Sequence, residues 1–277
     1  MTATTTEVAT PALAPLPASA GRANFAGALR SEFTKIRSVR STYWTLLAMA
    51  VITIGFGALF SFAATKNPHG PDFDPTMHSL LGMYFGQLLI AALGVLVISS
   101  EYSTGMIRTT LTTMPRRGTV IAAKAIVFAA VAFITGLITC FASFFLGQAL
   151  MSSDHLSTTL SHPNVLRAVI GGALFLTVCG LLGFGLGLLL RHTAGGICAA
   201  VALLFVLSLL INFLPQSWQN HVDKWVPAVA GTGIWSVTPT APGATPMLGP
   251  WTGFAVFCAY AAVAIAAGMI LFRRRNA

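Results

Sequence analysis

The sequence carries very little charge. Only 8% of its 277 residues are Asp, Glu, Lys or Arg, whereas a soluble domain has roughly a quarter. Hydrophobic residues make up 55%, so the composition excludes a soluble enzyme, a disordered chain and a free nucleic-acid-binding domain. The small charge is mostly basic, 16 Lys and Arg against 7 Asp and Glu. A membrane explains that excess better than nucleic acid does, because bases collect at cytoplasmic membrane faces.

Residue clusters that carry chemistry are also missing. The cysteines lie inside apolar runs without CxxC spacing, which favours buried thiols over disulfides or metal ligands. They are Cys140, Cys179, Cys198 and Cys258. No ionisable residue lies in the middle of a long apolar run, where an ion-coupled carrier usually places one. The catalytic groups of an intramembrane hydrolase are absent there too. We therefore expect no catalytic residue, metal or cofactor in this chain.

Six uncharged runs, each longer than twenty residues, dominate the chain. At 1.5 Å per residue each can cross a hydrocarbon core about 30 Å thick. They span Tyr43–Ala64, Ser79–Ser100, Ala125–Met151, Ala168–Leu190, Thr193–Leu214 and Trp251–Phe272. The sequence predicts an all-α membrane protein with six transmembrane helices over residues 25–277. Residues 1–24, rich in Ala, Thr and Pro, are predicted to be a disordered cytoplasmic tail.

The bases are distributed unequally between the two sides of the membrane. If both termini share a side, 13 bases fall there and 3 fall opposite. The 13 are Arg22, Arg30, Lys35, Arg37, Arg40, Arg108, Arg116, Arg117, Lys124, Arg191, Arg273, Arg274 and Arg275; the 3 are Lys66, Arg167 and Lys224. The positive-inside bias predicts a multi-pass protein of the cell inner (plasma) membrane with both termini in the cytoplasm.

Residues 25–42 have the pattern of an interfacial elbow helix. An apolar stripe recurs at helical spacing, and bases such as Arg37 occupy the remaining circumference, as in helices that lie at lipid headgroups. The stripe consists of Phe25, Leu29, Phe33, Ile36, Val39 and Tyr43. Glu32 lies at its edge, where either Lys35 or a partner protein could pair with it. The helix is either a membrane anchor alone or also a contact for a cytoplasmic subunit.

The loop 101–118 has two faces if it is read as a helix up to Met114. One face carries Glu101, Gly105, Arg108 and Thr112, and the other carries Ile107, Leu111 and Met114. Pro115 and Gly118 then turn the chain back towards the bilayer. Such a helix could pack its apolar face on the bundle and offer the other face to a protein. A solvated basic loop would explain Arg116 and Arg117 but not this spacing.

Glycine positions indicate close helix packing. Gly82 and Gly86 form a GxxxG pair, and Gly180, Gly183 and Gly187 fall on one helix stripe. Small residues let helix backbones approach in lipid. The stripes predict either packing within the chain or a contact between two subunits.

The loop 215–250 is the longest predicted external element. It contains Trp218, Trp225, Trp235 and repeated prolines. Because tryptophan favours the membrane interface, a short interfacial or re-entrant helix is expected within residues 225–237. The loop could be a cap that shields the bundle or a lid over a substrate exit.

The chain resembles the permease subunits of the ABC-2 class of ABC transporters over residues 28–275. The resemblance is carried by the basic leader 29–41, by the segment from Glu101-Tyr102 to Pro115-Arg116-Arg117, and by six spans with a long last external loop. It implies that residues 101–118 contain a coupling helix that sits in a cleft of an ATPase subunit. The coupling residues would be Glu101, Tyr102, Gly105, Arg108, Thr112, Pro115, Arg116 and Arg117. Met106 departs from the Thr often found at its position.

The resemblance also implies partners. Two permease subunits, identical or different, would assemble with two ATPase subunits among membrane lipids. The chain has no GxxxxGK[ST] phosphate loop, so ATP and Mg would be bound by a separate ATPase polypeptide. The expected function is an exporter permease without enzymatic activity of its own. The alternatives are a secondary carrier, which the uncharged interior disfavours, and a membrane scaffold that recruits a cytoplasmic protein. The uncharged bundle suits an amphiphile, a lipid-linked molecule or a hydrophobic drug as substrate.

The predicted topology can be checked by thiol labelling. Asp72→Cys, Asp154→Cys and Asp223→Cys, each in a cysteine-free background, should react with an impermeant thiol reagent on intact cells, because these positions are predicted to face outwards. Thr112→Cys should be protected until the cells are opened. Labelling of Thr112→Cys with protection of the other three would reverse the orientation.

Overall fold

The computed structural model describes residues 25–66, 73–103, 117–237 and 248–274. Within these ranges the chain is helical and contains no β-strand. The helices are α1 Phe25–Ser38, α2 Arg40–Ala64, α3 Pro75–Leu80, α4 Met83–Ser103, α5 Arg117–Met151, α6 Val165–Leu190, α7 Thr193–Val201, α8 Leu207–Ile211, α9 Gln216–Val222, α10 Pro227–Thr232 and α11 Pro250–Arg274. A π-helical turn, Ala202–Val206, joins α7 to α8, and 3-10 turns cover Ser152–Asp154 and Asp223–Trp225.

Six helical units are long and apolar enough to span a membrane. They are α2, the α3–α4 pair, α5, α6, the α7–π–α8 unit (the fifth span) and α11. This confirms the six predicted helices. Helix α5, the third span, begins at Arg117, eight residues before the predicted start at Ala125. The predicted run was limited to uncharged residues, whereas Lys124 is buried and paired within α5. Charge alone therefore misplaced its first turns.

The elbow segment differs from the prediction in its end point. Val39 has extended backbone angles, φ −89° and ψ 108°, so α1 ends at Ser38 rather than at residue 42. The buried face of α1 carries Ala28 and Glu32. Phe33, a member of the predicted stripe, is exposed. The chain itself does not bury this ring, which is therefore free to contact lipid. Location at the membrane interface stays a prediction.

Helix α6 occupies the centre of the bundle. Most of its residues are buried, and it packs against α4, α5, α7 and α11. A Cβ on Gly183 would overlap the main chain of Ala91 in α4. Gly187 approaches Val95 and Ile98 of α4, Gly180 approaches the Phe128 ring, and Gly82 and Gly86 both approach Thr53 of α2. The five predicted packing glycines thus serve close approach within the chain.

The segment after the fifth span folds back onto the bundle and forms a cap, residues 216–237. Helix α10 is almost entirely buried, and Trp235 is 1% exposed. The Trp235 ring packs edge-on against Tyr84 at 5.6 Å and lies 6.3 Å from Phe175. Residues 225–237 thus pack against the bundle; their interfacial or re-entrant position in the membrane stays a prediction.

Two polar residues hold the cap in place. The Arg167 guanidinium, on the first turn of α6, donates to the carbonyl oxygens of Gly233, Ile234 and Ser236 at 3.3, 3.4 and 2.8 Å. The carboxylate of Asp74 caps α3 and also accepts the Val237 N–H at 3.0 Å. We call this end of the bundle the cap end. The opposite end, which carries Glu101 and Arg191, is the base-rich end.

A pair of alanine substitutions tests the packing role of Gly183. Gly183→Ala should lower the free energy of unfolding by about 1–3 kcal/mol, because the Cβ has no room against α4. Gly55→Ala is the matched control, since Gly55 has open space around its Cα and alanine favours the helix by up to about 1 kcal/mol. Thermal midpoints in detergent, read by size-exclusion chromatography, should separate the two variants. Equal midpoints would contradict the close approach.

Candidate functional site

Four charged side chains from three helices meet at the base-rich end. Lys124 Nζ of α5 lies 2.5 Å from Glu32 Oε2 of α1 and 2.8 Å from Glu101 Oε1 of α4. Lys35 Nζ lies 2.7 Å from Glu32 Oε1 and 3.2 Å from Glu101 Oε1. Each lysine thus bridges both acids, and the four groups form a closed ring. We call these residues the ion cluster.

The ion cluster is buried and balanced in charge. The side chains of Glu32, Lys124 and Glu101 are 3%, 5% and 9% exposed, and that of Lys35 is 29% exposed. Removal of an isolated ion from water costs several kcal/mol. In the cluster, attraction between the two positive and two negative charges offsets this cost. Removal of one member leaves an uncompensated buried charge and costs about 3–5 kcal/mol. The cluster therefore fixes how α1, α4 and α5 meet.

Lys35 stays protonated in this setting. Burial by itself lowers its pKa, but the hydrogen bond to Glu32 and the charges of Glu101 and Glu32 raise the pKa above the usual 10.5 overall. A pKa that is higher in the folded protein gives stabilisation that is complete below the unfolded value and is lost as the pH rises through the folded value. The contribution of Lys35 is therefore constant across the physiological range.

Tyr102, the neighbour of Glu101, is held from another side. The Arg191 guanidinium lies 5.3 Å from the centroid of the Tyr102 ring and 5.7 Å from that of Phe272. These distances are within the range of cation–π attraction. Arg191 ends α6 in a left-handed conformation, φ 55°, and donates to the Leu271 carbonyl oxygen at 3.4 Å. The end of α4 is thus tied to α6 and α11 as well as to α1 and α5.

The structure corrects one expectation about Glu101. Its carboxylate faces into the ion cluster, where it contacts Lys35 and Lys124, rather than an outer face offered to another protein. The other predicted coupling residues except Tyr102 and Arg117 lie outside the described residues. They are Gly105, Arg108, Thr112, Pro115 and Arg116. Arg117 is the first residue of α5. The coupling helix itself stays a prediction.

The predicted elbow residues divide into two pairs. Glu32 and Lys35 belong to the ion cluster, so the pairing suggested by their i,i+3 spacing is present. Phe33 and Arg37 are exposed and make no contact with the cluster. Among the described residues, no group of three or more His, Cys, Asp and Glu side chains could hold a metal ion.

The family of the chain follows from comparison with known proteins. A family model described as ABC-2 family transporter protein matches residues 28–209. The chain belongs to the ABC-2 transporter family. The match runs from α1 through most of the fifth span and includes all four residues of the ion cluster. No curated protein sequence matches the chain at a significant level.

Membership of the ABC-2 family makes this chain a membrane permease of an ABC transporter. The ion cluster lies next to the connection between α4 and α5. Glu101 lies in the last turn of α4, and Lys124 lies near the start of α5; the segment 104–116 connects these two helices. Their direct contact at 2.8 Å closes the base of this connection, and Glu32 ties it to α1.

Sequence reasoning missed two residues of this arrangement in the ABC-2 chain. Lys124 and Arg191 were used only to count positive charges for topology. A signal for Lys124 was available: Glu32 and Glu101 are two of only seven acids in the chain, both border apolar segments, and Lys35 neutralises only one of them. No comparable signal marks Arg191, whose contacts depend on how α6 and α11 pack.

Removal of Lys124 should destabilise the ABC-2 permease. Lys124→Met leaves two buried carboxylates with one lysine, and we expect a loss of about 3–5 kcal/mol in the free energy of unfolding. Lys66→Met, at an exposed lysine of the cap end, should change it by less than about 1 kcal/mol. The measurement is thermal unfolding of both purified variants. Adding Glu32→Gln to Lys124→Met should recover part of the loss, because charge balance returns. Tolerance of Lys124→Met equal to that of Lys66→Met would exclude this role.

Proposed function

We propose that this ABC-2 permease is the membrane subunit of an ATP-driven exporter. A separate ATPase binds ATP and Mg, and closure of its nucleotide sites displaces the segment 101–118. The displacement reaches the transmembrane helices through the ion cluster. A second permease subunit, identical or different, completes the complex.

The observation that carries this proposal is the ionic closure at Glu101, Lys124 and Glu32. If the helices on either side of this connection were not joined, a partner could displace the connection without moving the helices. Here the helices on either side of the connection are joined by the contact of Glu101 with Lys124 at 2.8 Å, and both residues also contact α1. Because separation of these charges in a buried site costs several kcal/mol, a displacement of the loop moves α1, α4 and α5 together.

The orientation of the complex follows from where ATP is. An ATPase that uses cytoplasmic ATP must dock at the cytoplasmic end of the permease. The base-rich end carries the end of α4, the start of α5 and most of the bases in the described part of the chain, and the positive-inside bias favours the cytoplasm for that end. We therefore propose a location in the plasma membrane with both termini in the cytoplasm. Export as the direction is inferred from the resemblance to ABC-2 exporters.

The docking role of Arg108 can be tested with two charge reversals. Truncation of a desolvated charged contact between proteins costs about 2–5 kcal/mol, so Arg108→Glu should abolish co-purification with the ATPase or uncouple its ATP hydrolysis from transport. Lys66→Glu makes the same change in charge at the cap end and should leave both intact. The assays are a pull-down and ATP-dependent uptake into inside-out vesicles. A fully coupled Arg108→Glu complex would remove the docking role.

The ion cluster should affect coupling without affecting docking. Glu101→Gln keeps the shape of the side chain but weakens its hold on Lys35 and Lys124. The variant is destabilised as Lys124→Met is, so it is assayed below its thermal midpoint. There we expect the ATPase to remain bound and active, while the number of substrate molecules moved per ATP falls. Transport that proceeds without ATP in response to a pH gradient would instead show that the chain is a secondary carrier.

A further inference from the structure

A cavity of about 980 Å³ lies at the cap end. It is bounded by α4, α6, the fifth span and the cap, and its wall also includes residues 248–251. Sites for small molecules typically measure about 300–1,000 Å³ and combine apolar walls with a few polar groups. The cavity is large enough for a molecule of considerable size, and it belongs to a single chain.

The wall of the cavity, as far as the described residues form it, is mainly apolar and carries no net charge. Its apolar part includes Met77, Leu204, Phe205 and Trp235. The charged residues in the described wall are one base, Arg167, and one acid, Asp223. The Arg167 guanidinium already donates to three backbone carbonyls of the cap. Strong attraction for a charged ligand of either sign is therefore not expected.

Two buried polar groups in the wall have hydrogen-bonding capacity to spare. Gln87 is 1% exposed; its amide nitrogen donates to the Tyr84 carbonyl at 3.1 Å, and its oxygen lies 4.0 Å from the Cys179 thiol, a weak donor. An amide can donate two hydrogen bonds and accept two. Ser208 Oγ is buried and has no hydrogen-bond partner in the described part of the chain. A buried polar group without a partner is destabilising, and a ligand hydroxyl could supply the missing hydrogen bond.

The fifth span departs from α-helical geometry where it lines the cavity. Leu204 and Phe205 belong to the π-helical turn Ala202–Val206, and Ser208 follows directly. Turns of this kind are rare and occur frequently at functional sites. The local geometry, the two polar groups and the apolar wall therefore coincide in one place.

We propose that this cavity binds an electroneutral amphiphile, with its apolar body against Leu204, Phe205 and Trp235 and a hydroxyl or amide group against Gln87 and Ser208. The role of this ligand as the exported substrate rests on the proposed function. Binding itself needs no ATPase, so it is measured on the full-length chain alone. Failure of export and failure of binding can thus be told apart.

Trp235 provides the means of detection. The other tryptophans, Trp44, Trp218, Trp225 and Trp251, are all at least half exposed and can be replaced by Phe. In lipid nanodiscs this Trp235-only protein is titrated with a brominated alkyl maltoside, whose bromines quench tryptophan on close contact. Saturable quenching is expected. Brominated alkyl sulfate and alkyl trimethylammonium of the same chain length should bind at least tenfold more weakly.

Two substitutions on the fifth span locate the binding. Ser208→Phe fills the cavity and should raise the Kd for the maltoside at least tenfold. Val206→Phe adds the same ring two residues away, at an exposed position outside the cavity wall, and should leave the Kd unchanged. Quenching that rises linearly without saturation, or is equal in both variants, would show only partition into the bilayer and overturn the proposal. Equal affinity for the charged probes would overturn the electroneutral class.

Discussion

The arrangement of the base-rich end depends on four charges that have little water to solvate them. In a chain with 8% charged residues, three buried charged side chains, Glu32, Glu101 and Lys124, meet the half-buried Lys35 in one place. Each acid is bonded to both lysines. Separation of any one of the four residues from the others would leave a buried charge without its partner, which is energetically costly. The helices that carry them cannot slide or rotate independently. The cluster therefore favours one relative arrangement of α1, α4 and α5.

In the rest of the bundle, close packing rather than charge fixes the arrangement of the helices. Lipid offers no hydrophobic drive for helices to associate, so backbone proximity must supply the attraction. The glycines of α6 allow this, since Gly183 and Gly187 bring α6 against the main chain of α4. Large apolar side chains such as Trp44, Ile138 and Val263 remain exposed on the outside. Small residues therefore lie where two helix backbones meet, while many bulky apolar side chains remain on the outer surface.

The sequence was sufficient for the number and order of transmembrane helices, because length and apolarity determine them locally. The Glu32–Lys35 pair was also predictable, since both residues lie on one helix three positions apart. Glu101 and Lys124 could not be paired in this way, because their contact depends on the packing of α4 against α5. The end of α1 was misplaced because no Gly or Pro marks Val39. The packing of the cap on the bundle could not be predicted, because it depends on the long-range contacts of Arg167 and Trp235.

Helix α6 connects the two ends of the molecule through an arginine at each extremity. Arg191 at its last turn contacts the Tyr102 ring, and Arg167 at its first turn holds the cap by three carbonyl oxygens. With 26 residues the helix is about 39 Å long at 1.5 Å per residue. It is surrounded by protein along most of its length, so we expect it to move as one rigid body. A rigid-body tilt of α6 would displace both contacts at once. A movement at the base-rich end would therefore also move the cap at the other end of the bundle.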